Sequence, residues 1–162
     1  MGLFGSLDVN EIPEDPFWVD NGKYFAVLQS WKKADNEEKN THGLVMRWQI
    51  QEPDSDFDGS FVDDWKTTYP GLTEEQLEDM EQETKNNCKK DLSRLRQRLT
   101  QVGVSVEDME DDNFGDEGDE LSAQYVGTEA YITVRNTPDK NVPSRNYRNI
   151  TFVELATPAD DD

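Results

Sequence analysis

The feature that most constrains the fold of this chain is a helical pattern between residues 73 and 103. Side chains, most of them apolar, recur there at steps of three or four residues, as on one stripe of an α-helix. Thr73 is a good N-cap with Gln76 at the capping-box position, and Gly103 can end the helix as a C′ glycine. The stripe consists of Leu77, Met80, Thr84, Cys88, Leu92, Leu95, Leu99 and Val102. We therefore predict one long helix over about 73–102.

Strand patterns flank this helix on both sides. Apolar and polar residues alternate there with the period of two that a half-buried strand requires, and turn residues separate the runs. In the first strand, Trp31 would share a face with Phe25 and Val27. The predicted strands cover residues 23–33, 44–50 and 60–69 before the helix, and residues 130–135 and 147–155 after it.

The order of these elements, β-β-β-α-β-β, indicates a mainly β fold with one long helix, of the α+β class. Five short strands separated by turns are typical of a small barrel or sandwich rather than of a parallel sheet. A partly open barrel of five strands is what the OB architecture requires. We therefore expect an OB-like five-stranded barrel, with its helix between strands 3 and 4.

The length of 162 residues favours one domain with less regular ends. Residues 1–16 lack periodicity and contain two prolines, which predicts a loose N-terminal arm. Residues 17–156 would form the OB-like domain. Within it, residues 105–120 hold nine acidic residues and no basic one, which predicts a solvated acidic loop. Residues 157–162 would form an acidic C-terminal tail.

The sequence lacks the motifs of the common catalytic classes. It contains no phosphate-binding loop, no dinucleotide-binding glycine motif and no nucleophile elbow. One histidine, His42, and one cysteine, Cys88, are too few for a zinc site, which needs about four ligands. The acidic run 54–58 copies the start of a Ca²⁺ loop, but Trp65 stands where that loop needs a bidentate glutamate. We expect a protein that is not an enzyme and that uses no metal or cofactor.

The formal net charge of −20 argues against binding to anionic membranes and, at first sight, against a nucleic-acid partner. The bases are clustered, however. Residues 85–98 carry six bases and one acid, and residues 123–152 carry four bases and two acids. Because the Debye length is about 8 Å in physiological salt, the local potential rather than the total charge guides a polyanion at contact.

Aromatic residues lie next to basic ones along the predicted strands. Proteins that bind single-stranded DNA combine aromatic rings, on which bases stack, with a basic groove for the phosphates. An alternative interpretation is that these rings belong to the core; we favour it for Trp48, and both interpretations stay open for Trp31 and Trp65. The candidate nucleic-acid-binding residues are Trp31, Lys33, Arg47, Trp65, Lys66, Arg135, Arg145, Tyr147 and Arg148.

Several short blocks of the chain resemble a family of short phage proteins of the single-stranded-DNA-binding type, encoded among replication and recombination genes. These blocks are EIPED, GKYFAVL, GLVMRWQI, DGSFVDDWKTTYP, RLRQRL followed by GV, and YRNITFVEL, within about residues 8 to 156. The resemblance implies an OB-like fold and a non-catalytic protein that coats single-stranded DNA in the host cytoplasm. It also implies transfer of that DNA to a phage or host recombinase or polymerase, recruited by the acidic tail. Here the tail ends in three aspartates without a terminal aromatic residue.

Two other functions compete with DNA binding. An acidic protein that mimics DNA could block a host nuclease or defence factor, as the net charge of −20 suggests. A structural protein of the virion is the third possibility. The helix stripe could pack on the barrel or on a second copy of the chain, so a homo-oligomer stays open.

Overall fold

The computed structural model describes residues 2–3, 5–11, 19–39, 41–69, 72–138 and 146–156. The strands are β1 (Gly22–Asn36), β2 (Thr41–Ile50), β3 (Phe61–Thr67), β4 (Glu129–Pro138) and β5 (Asn146–Leu155). The helices are α1 (Glu74–Asp79), α2 (Gln82–Val102), α3 (Val106–Met109) and α4 (Glu120–Ala123), after a short 3-10 helix at Val9–Glu11. The acidic tail 157–162 and the last residues of the predicted arm lie outside the described residues. None of the described helices combines the length and apolarity that crossing a lipid bilayer requires.

The five strands form one antiparallel sheet in the order β3-β2-β1-β4-β5. The central strand β1 pairs with β2 on one side and with β4 on the other, and this order confirms the prediction of a mainly β fold. β3 and β5 are the two edges of the sheet. Among the described residues no backbone ladder joins these edges, so the sheet is open rather than a closed barrel.

The sheet has a buried and an exposed face because successive side chains of a strand point to opposite sides. The buried face, here called the core face, packs against the C-terminal part of α2 and the segment that follows it. Its principal buried side chains are Tyr24, Ala26, Leu28, Leu44, Met46, Trp48, Ile50, Val62, Ala130, Ile132, Val134, Ile150 and Val153. The opposite face, here called the outer face, carries the odd-numbered residues of β2, β3 and β4.

A β-bulge in β1 places Trp31 on the core face. Leu28 of β1 is paired with Trp48 of β2, and Trp31 is paired with Met46, the next core residue of β2. The step is three residues on β1 but two on β2. The extra residue of a bulge reverses the alternation of side chains along its strand. The prediction that Trp31 shares a face with Phe25 and Val27 is therefore wrong.

The helix predicted over 73–102 is divided into α1 and α2. Its predicted ends are both present: Thr73 and Gln76 form the capping box, and Gly103 ends α2 with a φ of 97°. Between the two helices, Met80 and Glu81 have extended backbone conformations with ψ of 145° and 148°. Helix α1 buries none of its side chains, so no packing on the core holds it in line with α2.

The segment 105–120, predicted as a loop, contains helix α3 and leads into α4. The Ser105 hydroxyl caps α3 by accepting a hydrogen bond from the backbone N–H of Asp108. The Asp119 carboxylate caps α4 by accepting a hydrogen bond from the backbone N–H of Ser122. This hydrogen bond lowers the pKa of Asp119 below its usual value. The segment that suggested a solvated loop therefore also supplies the caps of two short helices, a hydroxyl for α3 and a carboxylate for α4.

Helix α2 connects the two edges of the sheet through Arg98, which is buried. Its Nη2 donates a hydrogen bond of 2.8 Å to the carbonyl of Ile150 in β5, and its Nε lies 3.2 Å from Oδ2 of Asp64 in β3. Burial raises the pKa of Asp64 and lowers that of Arg98, while their mutual attraction opposes both shifts. The Arg98 side chain thus bridges the gap that the backbone leaves open.

Candidate nucleic-acid interface

Large aromatic side chains are exposed on the outer face of the sheet. Trp65 and Phe61 on β3 are 46% and 41% exposed, and Tyr131 on β4 and Phe152 on β5 are 39% and 48% exposed. Isolated apolar side chains are common on protein surfaces, but several on one face mark a surface that binds something. The outer face is therefore the candidate site.

Trp65 lies directly over Gly43 of the neighbouring strand β2. A Cβ atom at position 43 would lie 2.2 Å from the indole ring, which is far inside van der Waals contact. Trp65 is paired with Val45 in the ladder between the two strands. The glycine thus leaves room for the ring on the sheet surface, with nearly half of the side chain open to solvent.

Arg47 provides a cationic group beside these rings. Its guanidinium carbon lies 5.3 Å from the centroid of the Phe61 ring. Its Nε and Nη2 donate hydrogen bonds of 2.9 and 3.1 Å to the two carboxylate oxygens of Asp63. Hydrogen bonding to Asp63 is the largest cause that raises the pKa of Arg47, and the negative charge of Asp63 raises it further. The pair is exposed, so opening it costs little, and the guanidinium can turn to another anion.

A second aromatic group lies on the other side of β1. The rings of Phe25 and Tyr131 meet edge to face with their centroids 5.7 Å apart. Nζ of Lys23 lies 5.3 Å from the centroid of the Tyr131 ring and 2.8 Å from a carboxylate oxygen of Glu154. Phe152 is in the next strand, opposite Thr133.

The outer face has little net charge in a chain of −20. By strand register it carries four bases and three acids, which are Lys23, Lys32, Arg47, Arg135, Asp63, Glu129 and Glu154. Within the described part of the chain, Lys32 and Arg135 have no ion-pair partner. A polyanion would therefore meet less repulsion here than the total charge suggests.

Three of the residues proposed from the sequence lie on this face: Arg47, Trp65 and Arg135. Trp31 does not, because its indole N–H donates a hydrogen bond of 2.8 Å to the carbonyl of Ser122, and its ring packs edge to face on Phe114. Trp31 therefore has a structural role on the core face.

The remaining candidates are placed away from the exposed rings or are not described. Lys33 forms an ion pair of 2.7 Å with Asp116, and Lys66 forms one of 3.0 Å with the buried Asp64. Arg148 is half-buried and lies opposite Asn136. Tyr147 pairs with Thr137 through its backbone, but its side chain and all of Arg145 lie outside the described residues.

The sequence interpretation missed five residues of the outer face: Phe25, Phe61, Tyr131, Phe152 and Lys23. The alternation of strand residues could have identified two of them. Phe61 lies four residues before Trp65 and Tyr131 four residues before Arg135, so each shares a face with its partner. Phe152 follows a second bulge in the β4–β5 ladder, which the sequence does not reveal.

The described ranges contain no group of three histidine, cysteine, aspartate or glutamate side chains that could hold a metal ion. A scan against protein-family models finds none that matches this chain, and a search of curated proteins finds no significant match. A functional interpretation therefore depends on the geometry of the outer face and on the resemblance in sequence.

Proposed function

We propose that this protein binds single-stranded DNA, without catalysis, on the outer face of β1, β2 and β3. The observation that carries this proposal is the exposed pair Trp65 and Phe61 with Arg47 beside it on the adjacent strand. Every base offers a flat face that can stack on such a ring, and every nucleotide offers a phosphate for a guanidinium. The combination suits a partner recognised by its backbone and its unpaired bases rather than by sequence.

The arrangement of the strands supports the same interpretation. We interpret the five-stranded sheet as a partly open OB-like barrel, in which α2 spans the gap between β3 and β5. In OB folds, oligonucleotides bind on the face of strands 2 and 3. Trp65, Phe61 and Arg47 belong to those two strands here.

The high negative charge does not prevent this function, since the acids lie mainly elsewhere. The predicted acidic loop 105–120 carries nine of them, and its Asp116 pairs with Lys33, which by strand register belongs to the core face. In physiological salt, their repulsion is screened beyond about 8 Å. Contacts of Lys32, Arg47 and Arg135 with phosphates would then guide binding locally.

The resemblance in sequence gives this activity a biological setting. We place the protein in phage DNA replication and recombination, in the cytoplasm of the host cell. There it would coat single strands and pass them to a phage or host recombinase or polymerase. The acidic tail 157–162 would contact that partner, and several copies could assemble along one strand.

The first experiment is a binding titration of labelled oligo-dT of about 30 nucleotides, followed by fluorescence anisotropy. We expect Trp65→Ala to weaken binding by about 1–3 kcal/mol, the range measured for the loss of one base–aromatic stack. Val106→Ala is the control, because Val106 is equally exposed but lies on α3. Equal affinities for both variants and the unmodified protein would contradict the proposal.

The same titration separates this function from that of a DNA mimic. Matched duplex should compete poorly, because its bases are stacked within the helix and not available to Trp65. If neither the single-stranded nor the duplex oligonucleotide binds at low salt, the DNA-mimic function is favoured instead. The net charge of −20 would then serve to bind a basic host protein.

A further inference from the structure

We propose that the binding surface continues across β1 onto β4 and β5, so that one strand of DNA contacts two aromatic zones. Zone 1 consists of Trp65, Phe61 and Arg47. Zone 2 consists of Phe25, Tyr131, Phe152 and Lys23. This inference rests on the proposed function and extends it from one stacking site to a track over the whole sheet.

Two rings of zone 2, those of Tyr131 and Phe152, are exposed although the core does not need them there. Tyr131 and Phe152 alternate with the buried residues Ile132 and Val153, which already fill the core face. The part of each ring that stays in water gains nothing from burial in the isolated chain. Their exposure is therefore explained by a partner that covers them.

The register of the sheet connects the two zones through Gln49 of β2 and Val27 of β1. Gln49 of β2 is paired with Phe61 of β3 on one side and with Val27 of the central strand β1 on the other. Two residues before Val27 on the same face, Phe25 lies opposite Tyr131. The rings thus follow a diagonal line on β3, β1, β4 and β5, which crosses β2 at Gln49 and ends at Phe152 on the edge.

The length of this line sets how much DNA it can hold. Neighbouring strands are about 4.8 Å apart, so four spacings from β3 to β5 span roughly 19 Å before the curvature of the sheet is counted. A dinucleotide on zone 1 is too short to reach Phe152, whereas a strand of several nucleotides can lie on both zones.

The charges of zone 2 fit a polyanion better than those of the molecule at large. Lys23 lies over the Tyr131 ring, and Arg135 is exposed two positions beyond Thr133 on the same face. The two acids on this side are Glu154, already paired with Lys23, and Glu129. Bases beside rings repeat the arrangement of Arg47 beside Phe61, which is why we infer the same ligand.

A series of oligo-dT lengths tests this track. Affinity of the unmodified protein should increase between about 4 and 16 nucleotides, the range of site sizes found for OB folds. We expect the double variant Tyr131→Ala/Phe152→Ala to bind the shortest oligonucleotides as the unmodified protein does. For the longest it should lose at least about fivefold in affinity, the effect of one lost stack.

Two further variants keep the test decisive. Trp65→Ala should weaken binding at every length, because zone 1 is used by short and long strands alike. The single variant Phe152→Ala removes the most exposed ring of zone 2 and should show part of the long-strand loss even if the double variant folds poorly. Circular dichroism spectra check that each variant is folded.

The outcomes that overturn the track differ from failure of the proposed function. Long-strand affinity unchanged in the Tyr131→Ala/Phe152→Ala variant, or an equal loss at all lengths, rules the track out while zone 1 remains. Sedimentation showing a dimer that the same variant dissociates would assign zone 2 to self-association instead. Absence of binding by the unmodified protein at every length would reject the proposed function itself.

Discussion

Trp65 lies on the sheet surface where Gly43 has no side chain, and the two residues act as one unit. The indole occupies the space that a Cβ at position 43 would take. The ring is exposed and at the end of its side chain, so it can move away from an added methyl group at little cost to folding. The position of the ring, rather than the stability of the sheet, therefore depends on this glycine.

We expect Gly43→Ala to weaken binding to oligo-dT nearly as much as Trp65→Ala, by about 1–3 kcal/mol. Thermal unfolding should change little in comparison, since the displaced ring lies on the surface. The Gly43→Ala/Trp65→Ala double variant is the control. It should bind no more weakly than Trp65→Ala alone, and an additive loss would mean that Gly43 acts independently of the indole.

Asp63 holds the Arg47 guanidinium in a two-bonded ion pair on the outer face. We expect Asp63→Asn to strengthen binding to oligo-dT by roughly 2- to 5-fold, the scale of one exposed ion pair. The substitution removes a repelling carboxylate and frees Arg47 for a phosphate. Glu83→Gln is the control, because it changes the net charge by the same amount but lies on α2 and not on the outer face. An equal gain in both variants would show that only the total charge matters.

At the scale of single residues, the sequence predicted side-chain chemistry better than side-chain direction. Arg47, Trp65 and Arg135, three of the candidate residues, lie on the outer face, and for Trp65 this decides between the two interpretations that the sequence left open. Trp31, also a candidate, lies on the core face, because an alternating pattern assumes an unbroken strand and the bulge after Leu28 reverses it. Lys66 was misjudged for another reason: its partner Asp64 is a buried carboxylate, which no pattern of hydrophobic residues reveals.

At the scale of elements, α2 holds the open sheet together through Arg98. We expect Arg98→Met to lower the free energy of unfolding by roughly 3–5 kcal/mol, as when one partner of a buried ion pair is removed. The substitution leaves Asp64 buried without its main partner and leaves the carbonyl of Ile150 without its donor. Urea denaturation measures the change.

Arg94→Met is the matched control for this substitution. Arg94 is on the same helix but is exposed, and its ion pair with Asp91 should contribute at most about 1 kcal/mol. Burial raises the pKa of Asp64, so its contribution to stability is largest when it is protonated and is lost as pH rises through that pKa. The Arg98 guanidinium attracts only the charged form of Asp64, so the deficit of Arg98→Met should be larger at neutral than at acidic pH. Equal deficits for both variants would contradict the bridging role of Arg98.

Helix boundaries were predictable only where local chemistry determines them. The capping box at Thr73 and the terminal Gly103 are short-range features, and both are present. The break between α1 and α2 at Met80 was not predictable, because the apolar stripe of the sequence continues through this residue. Whether the first turns of such a stripe join a long helix depends on burial, and α1 buries none of its side chains.

At the scale of the whole molecule, whose net charge is −20, added salt should have opposite effects on folding and on DNA binding. Salt screens the repulsion among the acids, so we expect the Tm to rise between 20 and 500 mM NaCl. Each kcal/mol of relieved repulsion raises the Tm by roughly 2–4 °C in a domain of this size. Over the same range, affinity for oligo-dT should fall, because counterions released from the DNA gain less entropy when the surrounding salt is more concentrated.

Thermal scans and anisotropy titrations in the same buffers measure both trends. A Tm that is independent of salt would mean that the acids are too far apart to destabilise the fold. An affinity that is independent of salt would contradict phosphate contacts by Lys32, Arg47 and Arg135. Repetition at one ionic strength with sodium sulfate in place of chloride separates screening from the general stabilisation by kosmotropic salts.

The mainly β architecture and the position of the long helix between the third and fourth strands were predictable from the sequence. Periodicity within a strand reports which side is buried, and the order of patterns reports the order of elements. Closure of the sheet was not predictable, because it depends on whether β3 and β5 meet through their backbones. In the described residues they meet through a side chain of α2 instead.

The exposure of Trp65 also gives the protein an optical property of practical use. Among the tryptophans that the structure describes, Trp48 is buried and Trp31 is half-buried with its indole N–H bonded, so Trp65 is the one most open to solvent. A collisional quencher such as iodide or acrylamide reaches an open ring far more easily than a buried one. Of these three tryptophans, Trp65 would therefore contribute most of the emission that an unlabelled oligonucleotide shields from the quencher. The chain contains its own fluorescent reporter, at the place where we propose that the first base stacks.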